Sequence, residues 1–343
     1  MKVSVVIPTF NDEGTIAATV ESALSQKFDG GFEVIVVNDG STDGTRAELA
    51  KFGDRIRVID QQNRGVSAAR NAGIRAAAGE YIALLDGDDE WTEDKLAKTV
   101  PVLDENPACV AVSSNAIGVD GAGNIVGHPV TPEFQHSPTL DEMLEKLWAY
   151  LPSTVVVRRA TLLAIGGFSE DFKPEHYACE DTFIMLLVRE RGEIIYVPET
   201  LVRYRRREFH ARLANRLPSR RFEVDSAEEF RKFERRYEAN IILARLTIEH
   251  FGARGRKIAA LAIDGVAHEL IGVGLMAMHE GNRALARRAY RASIRYSPLT
   301  LKTYFRLAWA MLPAKAARAL SSTFPPGLRR SLSGPPVLEE RAQ

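Results

Sequence analysis

Along the first 120 positions, short apolar runs alternate with stretches of helical spacing. Val3–Ile7 is the first run, and a helical pattern follows from about Thr15 to Gln26. Glu33–Val37 is a second, β-branched run that ends in Asn38-Asp39-Gly40-Ser41, and Ile56–Ile59 is a third. A helix is predicted over Gly65–Ala78, with Arg70 and Asn71 on it, and a fourth strand over Tyr81–Leu85 leads directly into Asp86. Apolar strands separated by helices predict a mostly parallel sheet covered on both faces. In such sheets ligands bind beyond the carboxyl ends of the strands. Pro8-Thr9, Asp39-Gly40 and Asp86-Gly87-Asp88 all fall at those ends, so one crevice is expected to collect them.

Further along, Cys109 to about Asp120 and Ser153–Val157 read as strands, Thr139–Trp148 and Glu180 to about Arg191 as helices, and Ile194–Val197 as the last strand. After Arg203 helical patterns dominate from Ala227 to Leu320, with breaks around Gly252–Gly255, Gly281 and Pro298. Arg283, Arg287, Arg291 and Arg295 recur every four residues and predict one basic stripe along a helix. The stretch after about Pro325 is rich in Pro, Gly and Ser and is expected to be loose. The expected organisation is an α/β domain over 1–210, a basic helical region over 211–325 and a tail over 326–343.

Charge changes this picture. The 343 residues balance to zero net charge, yet residues 1–202 hold 17 basic and 32 acidic side chains, and residues 203–343 hold 28 and 13. Such an asymmetry points to an anionic partner for the C-terminal part. Two cysteines, Cys109 and Cys179, read as free thiols in a reducing cytosol rather than a disulfide framework. The N-terminal apolar run is too short for a signal peptide, and the longest apolar candidate, Ile258–Met278, is broken by Asp264, His268 and Glu269. A cytoplasmic protein is expected, with no nucleic-acid partner.

Four segments hold candidate chemistry. Two carboxylates on the turn Asp86-Gly87-Asp88-Asp89 suit a hard divalent cation that shares its shell with phosphate oxygens; an isolated acidic turn is the bland alternative. Asp39, closing a buried strand, could accept a hydrogen bond from a nucleobase N–H, or could serve only the strand–turn–helix connection. Arg70 has the planar fork that suits a phosphate, or is a solvated helix arginine. Glu180-Asp181 opens a helix, where an acid could act as a general base or merely favour the helix dipole. No dinucleotide, P-loop, serine-hydrolase or zinc-protease motif is present.

In this order, Val3-Ser4-Val5-Val6-Ile7-Pro8-Thr9, Asn38-Asp39-Gly40-Ser41-Thr42-Asp43, Asn63-Arg64-Gly65-Val66-Ser67-Ala68-Ala69-Arg70-Asn71, Asp86-Gly87-Asp88-Asp89, Gly166-Gly167-Phe168, Glu180-Asp181 and Tyr204-Arg205 resemble the family 2 glycosyltransferases of the GT-A fold, over roughly residues 2–210. The resemblance implies an inverting transfer from a nucleoside-diphosphate sugar, most often a UDP-sugar, with Mn²⁺ or Mg²⁺. It implies that Pro8, Thr9 and Glu13 line the nucleoside pocket, Asp39 contacts the base and Arg70 approaches the diphosphate. Asp86 and Asp88 would hold ribose and metal, with Asp88 the direct ligand. Asp181 would be the catalytic base with Glu180 beside it, and Arg205 would stand near the diphosphate. Members often show His soon after the Tyr-Arg pair; here three further residues separate Arg206 from His210, which is left out of the metal set.

The expected acceptor is a glycan or lipid-linked hydroxyl in cell-surface or secreted glycan synthesis. A sugar-nucleotide-binding protein without turnover is the alternative. A sugar-phosphate nucleotidyltransferase fits less well, because Pro8-Thr9-Phe10-Asn11 is not its glycine-rich loop. For the basic C-terminal helices two readings stay open: contact with the anionic inner membrane face, or a helical cap that also serves a homodimer.

Overall fold

The computed structural model describes residues 1–121, 123–129, 137–145, 150–173, 179–205, 227–279, 282–296 and 301–312. Strand β1 (Val3–Thr9) lies at the centre of a parallel group, with β2 (Phe32–Asn38) on one side and β4 (Tyr81–Leu84) on the other, and β3 (Arg57–Asp60) beyond β2. Thr9 pairs with Asn38 and Asn38 with Asp60, so three strands end level. Val6 pairs with Leu84, which places Asp86, two residues on, beside the end of β1. The common level of the strand ends that the alternation foresees therefore follows from register.

Beyond β4 the sheet is mixed. β8 (Val155–Arg158) runs antiparallel to β4 and to β6 (Cys109–Val119), and β9 (Glu193–Arg205) runs parallel to β6. The two-residue strand β5 (Glu90–Trp91) pairs antiparallel with β9, and β7 (Ile125–Pro129) pairs with β6. β9 runs well past the predicted Val197. Its far end, at Tyr204-Arg205, is pulled along the acidic turn because Glu90 pairs with Arg203.

Both faces are covered, as continuous apolar strands require. Val5, Ile7 and Val36 pack with residues of α1 (Ile16–Leu24), α2 (Thr45–Ala50) and α4 (Lys95–Glu105). Val6, Ile35 and Val37 pack with α3 (Val66–Ala76) and α7 (Glu180–Arg191). Two short helices, α5 (Leu140–Glu145) and α6 (Arg159–Ala164), complete this part.

The C-terminal helices are α8 (Ala227–Phe251), α9 (Arg256–His279), α10 (Arg283–Tyr296) and α11 (Leu301–Met311). Ala239, Leu243, Ile258 and Ala262 join the core that α7 closes, so α8 and the start of α9 share the core of the α/β part. Polar contacts reinforce the junction: Arg245 with Asp171 at 2.8 Å, Arg254 with Asp141 at 2.7 Å, Lys257 with Glu145 at 3.6 Å, and His250 Nε2 with Glu190 at 2.9 Å. Some of the opposite charge of the two halves is thus spent between them. The tail, residues 326–343, and His210 lie outside the described residues.

Gly79 enters β4 against the backbone of β1; a Cβ there would lie 2.5 Å from Ser4 N and 2.7 Å from Val3 C. Backbone of a central strand has no room to yield, so Gly79→Ala should cost roughly 1–3 kcal/mol. A urea-unfolding midpoint unchanged by the substitution would contradict this packing.

Candidate active site

Asp86 stands just beyond β4, separated from it by Leu85. Its backbone N–H donates to Ser153 Oγ at 3.0 Å, and the Ser153 hydroxyl donates to Asp89 Oδ2 at 2.6 Å. One serine thus fixes both ends of the acidic turn. Between them, Gly87 sits against the end of β1, where a Cβ would lie 2.8 Å from Asp12 Oδ2 and 3.0 Å from Pro8 O. The Gly87 carbonyl accepts from the hydroxyls of Thr15 at 3.0 Å and Thr19 at 3.1 Å. Held this way, Asp86 and Asp88 keep partly exposed side chains, whereas Asp89 is buried. Burial, with Asp88 and then Asp86 adding repulsion, holds the Asp89 carboxyl well above the usual carboxylate range.

Arg70 lies beneath this turn. Its side chain is 2% exposed, Nη2 donates to Asp86 Oδ1 at 2.6 Å, and Nη1 donates to Glu180 Oε1 at 2.9 Å. Burial opposes its charge, but Asp86 and Glu180 more than compensate and raise its pKa. The Phe168 ring lies 5.0 Å below the guanidinium, in cation–π range. Asn71, one residue along α3, fixes that ring: its Oδ1 accepts from Phe168 N at 2.8 Å and its Nδ2 donates to Phe168 O at 2.9 Å. Gly167 adopts φ +76°, with room for no more than a hydrogen toward Asn71. The family resemblance puts Arg70 at the diphosphate; as folded, its terminal nitrogens are taken by the two carboxylates, and it acts on the crevice through them.

Glu180 and Asp181 open α7, preceded by Cys179 at φ +79°. Glu180 is pinned by Arg70. Asp181 Oδ1 accepts from Thr182 N at 2.6 Å, and part of its surface stays open. Burial of the carboxyl, then the neighbouring Glu180 charge, pushes its pKa up to about 7, against the Thr182 N–H and Arg70. That value suits a general base near neutral pH.

On the nucleoside side, buried Asp39 accepts from Gln61 Nε2 at 2.7 Å, Arg64 N at 2.9 Å and Gly65 N at 2.8 Å, so it ties the loop before α3 to the end of β2. Pro8 and Thr9 are buried at the end of β1. Exposed Glu13 accepts from Gly44 N at 2.6 Å at the start of α2. Arg205 grips rather than reaches: Nε donates to Asp88 O at 3.2 Å, Nη2 to Glu90 Oε1 at 2.8 Å and Nη1 to Gly121 O at 3.1 Å, while its own N–H donates to Asp89 Oδ1 at 3.0 Å. The sequence offered no sign of Ser153, 67 positions from Asp86, or of Lys95. Lys95 is fully buried, donates to Thr154 O at 2.9 Å and to Ser114 Oγ at 3.3 Å, and has its pKa brought down to about 7 by burial.

Among the described residues no group of three or more His, Cys, Asp or Glu is arranged to hold a metal ion. Two carboxylates on a turn still fit a hard cation whose remaining ligands are phosphate oxygens and water, and they do not fit a structural site built from protein alone.

The sheet, with its parallel strands ending level at an acidic turn, has the GT-A fold. That fold is shared with S. aureus TarS 1–349, solved in complex with UDP-GlcNAc, at a TM-score of 0.61 and 22% identity, over 92% of this chain and 88% of that one. The sequence model of Glycosyl transferase family 2 matches residues 4–163. The E. coli UDP-Glc:alpha-D-GlcNAc-diphosphoundecaprenol beta-1,3-glucosyltransferase WfgD is 32% identical over 177 residues, 51% of this chain and 67% of that protein. The chain belongs to glycosyl transferase family 2. An uncharacterized glycosyltransferase of Rickettsia bellii is 43% identical over 108 residues, 31% of this chain, which spans only 15% of that protein's length. Glu180, Asp181 and Arg205 lie beyond the matched residues 4–163.

Two outcomes follow. Arg70→Met removes the partner of two carboxylates and should destabilise the fold by roughly 3–5 kcal/mol; a loss within the error of denaturant unfolding would contradict the paired arrangement. Asp181 binds its proton more tightly folded than unfolded, so its contribution to stability falls as pH rises from about 4 to 7. Asp181→Asn should therefore melt progressively higher than the parent between pH 5 and pH 8, and a difference independent of pH would count against the raised pKa.

Proposed function

We propose that the protein is an inverting glycosyltransferase. It moves a hexosyl or hexosaminyl group from a UDP-sugar to a hydroxyl of a glycan or lipid-linked acceptor in cell-surface or secreted glycan synthesis, on the cytoplasmic side of the membrane. The observation that carries this reading is the bridge from Asp86 through Arg70 to Glu180, which ties the acidic turn to the start of α7, where Asp181 follows Glu180. The names of the relatives support the finer points: WfgD takes UDP-Glc and a diphosphoundecaprenol acceptor, and TarS binds UDP-GlcNAc.

The acceptor oxygen attacks the anomeric carbon, the bond from that carbon to the diphosphate oxygen breaks, and UDP leaves with the bonding electrons. The Asp181 carboxylate takes the hydroxyl proton as the new bond forms. Glu180, held on Arg70, keeps a negative charge beside Asp181 and so keeps it basic. Asp39, Pro8, Thr9 and Glu13 shape the nucleoside end. Mn²⁺ or Mg²⁺, held by Asp88 with Asp86, would supply Lewis-acid stabilisation of the leaving diphosphate. Ser153 and Arg205 fix the turn that presents those carboxylates.

A panel of nucleotide sugars with Mn²⁺ tests the reading through release of nucleoside diphosphate. Release from one UDP-sugar in the presence of acceptor is expected; binding without turnover for every donor would favour a sugar-nucleotide-binding protein. Asp181→Asn should lower kcat by roughly 10²–10⁴-fold with donor affinity nearly intact. Asp88→Ala should weaken metal-dependent donor binding, and unchanged affinity there would defeat the metal assignment. Activity should fall as pH drops below about 7 and Asp181 takes up its proton.

A further inference from the structure

The positive charge of the C-terminal part is unevenly spread. Residues 227–279 hold 8 basic and 7 acidic side chains, and Arg245, Arg254 and Lys257 among them meet acids of the α/β part. Residues 281–338 hold 11 basic side chains and no acidic one, and seven of the 11 fall within 281–312, where α10 and α11 lie.

The structure divides the predicted arginine stripe. Ala286, Ala289, Tyr290 and Ser293 are buried on the inner face of α10. Arg283 and Arg287 are half-buried, and Arg287 Nη1 donates to Ala310 O on α11 at 3.3 Å. The outward row is instead Arg288, Arg291 and Arg295, all exposed and spaced three and four apart. On α11, Leu307 and Ala310 pack inward, whereas Tyr304 and Met311 are 43% and 58% exposed with exposed Ala308 between them. Tyr304, Ala308 and Met311 again follow helical spacing. The two helices therefore present a cationic row and an apolar row, on a stretch without acids.

We propose that the α10–α11 hairpin is a docking surface for an anionic lipid bilayer. Exposed arginines are drawn to the negative surface potential of anionic lipid, and the aromatic and thioether side chains suit the layer between headgroups and acyl chains. The apolar row favours a bilayer over a soluble polyanion, which would gain nothing from Tyr304 and Met311. Among the described residues no helix is long and apolar enough to cross a membrane, so this contact is a peripheral one. It stands independently of the transfer reaction, and would hold the crevice near a lipid-linked acceptor.

The test is co-sedimentation of the full chain with phosphatidylcholine vesicles, with and without phosphatidylglycerol, at low and high salt. Binding only to the phosphatidylglycerol vesicles, weakened by salt, is expected. Arg291→Glu with Arg295→Glu should weaken it roughly tenfold or more, Tyr304→Ser with Met311→Ser should also weaken it, and Arg291→Lys with Arg295→Lys should retain it. Should the charge reversal unfold the chain, judged by its melting curve, Arg291→Gln with Arg295→Gln serves instead. Equal recovery on neutral vesicles, or full binding by the charge-reversed or charge-neutralised variant, would overturn the proposal. Complete release by inorganic polyphosphate at matched phosphate, with Tyr304→Ser and Met311→Ser without effect, would overturn it in favour of a polyanion site. Sugar transfer to a water-soluble acceptor, read as release of nucleoside diphosphate, should be unchanged in all these variants, which separates failure of the docking surface from failure of the transferase reading.

Discussion

A guanidinium cannot be taken out of water without counter-charge, and Arg70 is 2% exposed. Its two partners come from separate elements: Asp86 at the end of β4, 16 residues from Arg70, and Glu180 at the start of α7, 110 residues from it. Neither carboxylate is well placed without the arginine, and the arginine is not tolerable without both. Phe168 beneath it and Asn71 beside it add the Gly166-Gly167-Phe168 turn to the same knot. The candidate metal turn and the candidate base are thereby fixed relative to each other by one buried ionic link.

The turn itself is positioned by register. With Thr9, Asn38 and Asp60 level and Leu84 beside Val6, Asp86 emerges at the mouth between β1 and β8. Gly87 permits the approach of Pro8 and Asp12, and Ser153 with Arg205 clamps the far side. Acidic side chains this close repel one another. Burial, with the clustered negative charge adding to it, raises Asp89 and brings Asp181 to about 7. Carboxyl groups shifted in this way mark candidate functional sites.

The parallel half of the sheet was legible because runs such as Val3–Ile7 and Tyr81–Leu85 are apolar throughout, and buried parallel strands read that way. Asp39, Asp86 and Asp88 were legible because they stand at strand ends. What Arg70 and Arg205 do was not: both were read as phosphate-facing from residue type and motif, whereas their partners are set by tertiary contacts that no spacing encodes. Ser153 and Lys95 were missed for the same reason, the first a serine at the start of a strand and the second a lysine in an amphipathic helix. The arginine stripe on α10 was read from a four-residue period, but α11 covers part of that face and turns the exposed row onto Arg288, Arg291 and Arg295. The charge asymmetry, too, had two meanings that only packing separates: α8 and α9 meet the acidic part of the chain, and most of the excess lies beyond them.

The central claim is that one crevice, floored by Arg70, receives a nucleotide sugar with its diphosphate on the Asp86-Asp88 turn. A crystal structure of the protein with UDP and Mn²⁺ tests this most directly. The account predicts the uracil beside Asp39, the cation on Asp88, and Asp181 facing the space beyond the diphosphate with the Asp86–Arg70–Glu180 link intact. A nucleotide bound away from the ends of β1, β2 and β4, or a cation that does not touch the acidic turn, would contradict it.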